Sequence, residues 1–206
     1  MKKNSSKFAM KEIFFPLIIL LFIFGISIPI PSRTGIGGSS LVSIVGVHYL
    51  GNNYLIDRFY VNQEIGDSIG EGGGGGSIVC CISLPKKWSG GLKVEIRWKV
   101  HRIIDPPNPS LQATAKIEGI YQALVPIEKY RELGNLYVHF FPGGRVRVIV
   151  APSTPGNKDY AVKMSDPHAE GKATSGKIIG EMFTKKELSD SERKIEHHKR
   201  KYGDWR

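Results

Sequence analysis

The sequence predicts an all-β protein: an immunoglobulin-like antiparallel β-sandwich, preceded by a transmembrane helix and followed by a charged C-terminal tail. Three observations carry this. About seven short runs rich in β-branched and aromatic residues lie between residues 41 and 151, separated by turn signals. Residues 92–101 alternate strictly, with Leu92, Val94, Ile96, Trp98 and Val100 on one side and Lys93, Glu95, Arg97 and Lys99 on the other, the pattern of a strand with one buried and one wet face. Two apolar runs, 135–141 and 145–151, flank Pro142-Gly143-Gly144, a hairpin signature in which the glycines supply positive φ. No strand-helix-strand alternation occurs, which disfavours a doubly wound fold.

In chain order, residues 1–12 form a basic segment, with Lys2, Lys3, Lys7 and Lys11 against Glu12. Residues 13–30 contain no charge and as a helix would span about 27 Å, at the short end for a bilayer. The preceding lysines place the N-terminus in the cytoplasm and the rest across the inner membrane, in the periplasm. The residues after the run offer no small-x-small cleavage site, so an uncleaved single-pass anchor is expected, with a cleaved secretory signal as the alternative. Residues 31–40 are a Pro, Gly and Ser linker. The sandwich is expected over 41–165, with strands at 41–50, 54–61, 78–84, 92–101, within 112–125, and at 135–141 and 145–151; residues 127–133 suggest a short helix or turn. Val146, Val148 and Val150 share one face of the last strand. Residues 166–206 read as a basic tail, flexible or helical; as a helix it would set Glu196 four residues before Arg200, an attractive pair.

Composition sets the outer limits. With 41% apolar and 23% charged residues the chain is not disordered throughout. Its 24 Gly and 12 Pro have no repeat period, which excludes collagen, and two Cys cannot build a disulfide-dense scaffold. The net charge of +10 includes +3 in residues 1–12 and +3 in 185–206, leaving +4 for the rest. A nucleic-acid binder concentrates charge on its folded domain, so nucleic acid is not an expected partner.

The most distinctive stretch is the tract from Gly72 through Gly73, Gly74 and Gly75 to Gly76, followed by Cys80-Cys81, Leu84-Pro85, Trp88 and Trp98. The tract could cradle an anion on backbone N–H groups, or let the chain pass close over the sheet. It precedes a strand rather than a helix, so it is not a dinucleotide fingerprint. Residues 171–178 approach a P-loop but end in Ile178 where a hydroxyl would meet magnesium. Adjacent residues in a strand point to opposite faces, so Cys80 and Cys81 suggest one core and one outward thiol. Buried thiols, a disulfide between neighbours and an intermolecular bridge all stay open. His48, His101 and His139 lie on expected strands, but nothing in their spacing demands a metal. H-E-x-x-H is absent, and Asp57, Glu64, Asp67 and Glu71 imply no carboxylate pair. A non-enzymatic protein without cofactor or metal is expected.

The glycine run, Cys-Cys, Leu-Pro-x-x-Trp and the strand ending in Trp98, over roughly residues 43–150, resemble a bacterial envelope family of unknown function that is similar to type VI secretion lipase immunity proteins. That resemblance implies a protein that binds a phospholipase-type effector and neutralises it by occlusion. This chain lacks the lipid-bearing Cys of the lipoprotein members, which favours an inner-membrane anchor. Tyr60, Trp88 and Arg97 are candidate partner contacts, with 70–77, including Gly72 to Gly76, as a loop closing around the partner. A structural envelope protein and an anion- or metal-binding envelope module are the alternatives.

Overall fold

Short apolar runs that alternate, or that are apolar on every residue, become strands here. The computed structural model describes residues 38–73, 78–106, 108, 110, 112–163 and 168–203. The expected membrane segment at 13–30, the linker up to residue 37 and Gly74, Gly75 and Gly76 lie outside them. Among the described residues no helix is long and apolar enough to cross a membrane.

The elements in order are β1 (Ser39–His48), β2 (Tyr54–Val61), β3 (Glu64–Ile65), β4 (Val79–Pro85), β5 (Lys93–Ile104), β6 (Thr114–Pro126), β7 (Asn135–Phe141), β8 (Arg145–Ala151), a 3-10 turn (Ala169–Lys172), β9 (Thr174–Ser175), β10 (Lys177–Ile178) and α1 (Lys185–Tyr202). They form two five-stranded sheets. Sheet one runs β4-β1-β7-β8-β9 and sheet two runs β10-β6-β5-β2-β3. The all-β sandwich is therefore present. Its strand order differs from the A-B-E-D against C-F-G of an immunoglobulin constant domain. Nor is it wholly antiparallel, because β1 runs parallel to β7, with Val45 opposite Tyr137.

The main core lies between the sheets. Even-numbered residues of β5, β7 and β8 point into it: Val94, Ile96, Trp98, Leu136, Val138, Phe140, Val146, Val148 and Val150. Phe140 meets Phe59 edge-on, ring centroids 5.3 Å apart, and lies 5.6 Å from Trp98, which stacks on Tyr121. The hairpin turn places Gly143 at φ 73° and Gly144 at φ 67°, conformations that residues with a Cβ rarely adopt. β7 and β8 are apolar on both sides, as in strands buried on both faces. Tyr137, Phe141 and Ile149 accordingly form a second core on the outer face of sheet one, covered by Tyr160, Val162 and Ala169.

Two further expectations are corrected. Residues 127–133 form neither helix nor regular turn: Ile127 bridges Val148, its N–H donates to Leu92 O, and its own carbonyl accepts from Trp88 Nε1. With those backbone groups committed across the sandwich, no helical hydrogen bonds can start there. Of the flexible and helical readings of the stretch beyond residue 166, the structure has a helix at Lys185–Tyr202, preceded by strand pairing. β9 pairs with β8 and β10 with β6, so a polar segment bridges the two sheets. The supposedly wet face of β5 is partly dry, since Arg97 is only 7% exposed. α1 begins at a capping box in which Thr184 and Glu187 satisfy each other's backbone N–H groups.

Phe140→Ala should lower the free energy of unfolding by about 3–5 kcal/mol. Leu124→Ala on the exposed face of β6 should change it by less than about 0.5 kcal/mol. Urea denaturation midpoints measure both.

Candidate binding site

β1 and β7 lie side by side and present their odd-numbered residues on the outer face of sheet one. Val45, Val47 and Tyr49 from β1 and the residue after it, with Asn135 and Tyr137 from β7, form the floor of a cavity of about 350 Å³. Gly73 and Ile78, at either end of the glycine tract, form one wall; Thr154, Pro155, Gly156 and Val162 form the other. Such a volume, lined mostly by apolar and aromatic groups with a few polar ones, is within the range of small-ligand and side-chain sockets. Ile78 stands at 67% exposure.

Local interactions hold Gly70 and Gly73, at the start of the tract, close to β1. His48 points the other way, toward the core, and its Nε2 lies 2.7 Å from Gly70 O, while Leu50 N–H donates to Nδ1. With Nδ1 accepting, Nε2 carries the proton and donates to Gly70, so the ring is neutral; burial lowers its pKa. Gly73 has φ 76° and sits on the His48 carbonyl, where any Cβ would collide. At Gly73 the chain thus passes close over the sheet, one of the two roles the tract's glycines allow.

Beneath the cavity the polar groups are paired among themselves. His139 lies 3.0 Å from Tyr49 Oη through Nδ1 and 2.8 Å from Tyr160 Oη through Nε2. Burial, with the nearby positive Arg147, pushes its pKa down to about 3, so it is neutral over the physiological range. Burial pushes Tyr49 up to about 12 and Tyr160 upward as well. Arg147 forms a two-pronged ion pair with Glu128 and donates to Ala169 O at 2.9 Å. The three histidines do not converge: among the described residues no group of three or more His, Cys, Asp or Glu could hold a metal.

Cys80 and Cys81 are joined as a disulfide on edge strand β4. Of the three readings left open for the pair, the structure has the disulfide between neighbours, and the side chains are not opposed as strand alternation suggested; Cys80 is exposed and Cys81 half-buried. The bond requires both sulfurs on one side of the strand.

The candidate contacts fall into three places. Tyr60 and Arg97 are cross-strand partners on the outer face of sheet two, away from the cavity. Arg97 donates to both carboxylate oxygens of Glu187, to Glu95 Oε1 at 2.8 Å and to Met182 O at 2.8 Å. Phe183 covers its guanidinium at 4.9 Å and meets Tyr60 edge-on at 4.7 Å. A partner reaching Arg97 would have to displace this segment. Trp88 is half-buried against the main core. Among the described candidates Gly73 alone lines the cavity, while Gly72 precedes it and is exposed. Sequence reasoning missed Val45, Val47, Tyr49, Tyr137 and Val162; for the first four the signal was the apolar character of both faces of β1 and β7, and Val162, in irregular chain, carried none.

Fold and site together define a β-sandwich domain with an apolar socket on one sheet face. The model of a family described as a protein of unknown function (DUF3304) matches residues 51–148, the span from the turn before β2 into β8. It includes the glycine tract, the cysteine pair and Trp88. No curated protein and no solved structure matches the chain.

The Arg97 guanidinium, followed by the Thr184 hydrogen bonds, lowers the Glu187 pKa from 4.5 to about 2. A depressed carboxylate pKa contributes stability that is present above the unfolded value and lost on protonation in the fold. Docking of the 182–187 segment should therefore weaken as pH falls from about 5 toward 2, followed by hydrogen exchange of the α1 amides. Glu187→Gln should expose those amides already at neutral pH and flatten the profile.

Proposed function

We propose that this domain is a non-catalytic binding protein of the bacterial envelope, an immunity protein that neutralises a type VI secretion phospholipase effector by occlusion. The observation that carries the reading is the apolar cavity on the outer face of sheet one, with Ile78 exposed at its mouth. A socket of this kind accepts one apolar or aromatic anchor from a partner, and a few such anchors dominate tight protein interfaces. Lipases carry apolar surface around the entrance to their acyl site, so the chemistry is complementary. The sequence resemblance supports the partner class. The buried charged and ionisable groups around the socket are engaged within the fold, as expected of a surface that binds by shape. The Cys80–Cys81 disulfide accords with an oxidising compartment. The uncharged segment at 13–30 supports a single-pass inner-membrane anchor with the sandwich in the periplasm.

The test is capture from a detergent extract of the native bacterium with the tagged full chain. A phospholipase-like protein should be recovered, with its activity lost in the complex. Ile78→Asp should weaken capture at least about tenfold, and Leu41→Asp, equally exposed on β1 but outside the cavity, should not. Recovery of envelope assembly proteins alone would replace the immunity reading with a structural one.

A further inference from the structure

We propose that α1 is a self-association arm, through which two copies of this chain pair antiparallel along Leu188, Ile195 and Tyr202. α1 has 18 residues, about 27 Å of helix, and none of them is buried. A helix with no buried face is held by its own i,i+3 and i,i+4 pairs, here Lys186–Asp190, Asp190–Arg193 and Glu196–Arg200, or by a neighbour that covers its apolar stripe. Leu188, Ile195 and Tyr202 recur at intervals of seven and are 50%, 53% and 62% exposed. Seven-residue spacing keeps them on one stripe, with Ser191 and His198 filling the alternate positions of the seam.

The flanking charges select the occupant and its direction. Glu192 and Lys199 border one side of the stripe; Glu187, Lys194 and Lys201 border the other. A parallel pair in register would set Glu187 beside Glu192 and Lys194 beside Lys199, like against like. An antiparallel pair centred on Ile195 sets Glu192 opposite Lys199 of the second copy, twice by symmetry, while Glu187 stays on Arg97 within its own chain. Only Lys194 then faces its own kind. A second copy therefore complements this face, as an isologous contact requires. An anionic membrane fits less well, because acids border the stripe on both sides and α1 carries four acidic residues against seven basic ones. The arm is presented from a fixed base, since Arg97 and the capping box hold its first turn.

Sedimentation of the full chain in detergent should show a dimer that weakens with salt. Ile195→Asp should leave a monomer with unchanged far-UV circular dichroism. Glu192→Lys should weaken association about tenfold, and adding Lys199→Glu should restore it. In a Cys80→Ser, Cys81→Ser background, chains carrying Leu188→Cys and Tyr202→Cys should cross-link when mixed, and neither should cross-link alone. A monomer at all concentrations, a dimer indifferent to Ile195→Asp, or Leu188→Cys cross-linking to itself would overturn the proposal. So would binding of α1 to phosphatidylglycerol vesicles without dimer formation.

Discussion

The structure depends on one constraint: sheet one is apolar on both faces. β7 and β8 carry Leu136, Val138, Phe140, Val146, Val148 and Val150 toward one side and Tyr137, Phe141 and Ile149 toward the other. A strand of this kind cannot leave either face to water without losing about 25 cal/mol for every Å² of apolar surface left uncovered. Sheet two covers the first face. The second is covered by irregular chain after β8, pinned through Tyr160 to His139 and through Ala169 O to Arg147. Between the described part of that covering and Gly73 and Ile78, Val45, Val47 and Tyr137 form the floor of an open cavity. The candidate site is thus a consequence of how sheet one is buried.

A similar argument applies to charge. Arg97 lies on the outward side of β5, and a lone desolvated guanidinium would be prohibitively costly. Glu187, Glu95 and the Met182 carbonyl together satisfy it, with Phe183 as a lid. All of these groups except Glu95 come from residues 182–187. The C-terminal stretch is therefore folded down onto sheet two by the needs of a single buried cation, even though it contributes no residue to the main core.

Much of the fold is legible in the sequence. β2, β7 and β8 begin and end where their hydrophobic runs do, and glycines mark the hairpin turn. β3, β9 and β10 are invisible because two residues are too few to show a period. The parallel pairing of β1 with β7 joins residues some ninety apart in sequence and leaves no local trace. Period-two alternation puts Arg97 on a wet face because it assigns sides, whereas dryness depends on what covers a side. The site is half legible. The tract announces a close passage of backbone, realised at Gly73. The cavity floor is harder to read, because apolar residues on both sides of β1 signal a strand without saying how far each face is covered.

The cavity and the helical arm arise from different physics and face different ways. The cavity lies on the outer face of sheet one, beside the covering chain. α1 departs from the outer face of sheet two, where a buried arginine holds the start of the arm. Main-core residues separate them, and neither surface contains a group that the other needs. Occupation of the cavity by a partner and pairing of α1 with a second copy are therefore compatible in one molecule. If both occur, a dimer presents two cavities, and a bivalent partner engages the second at raised effective concentration without any new contact.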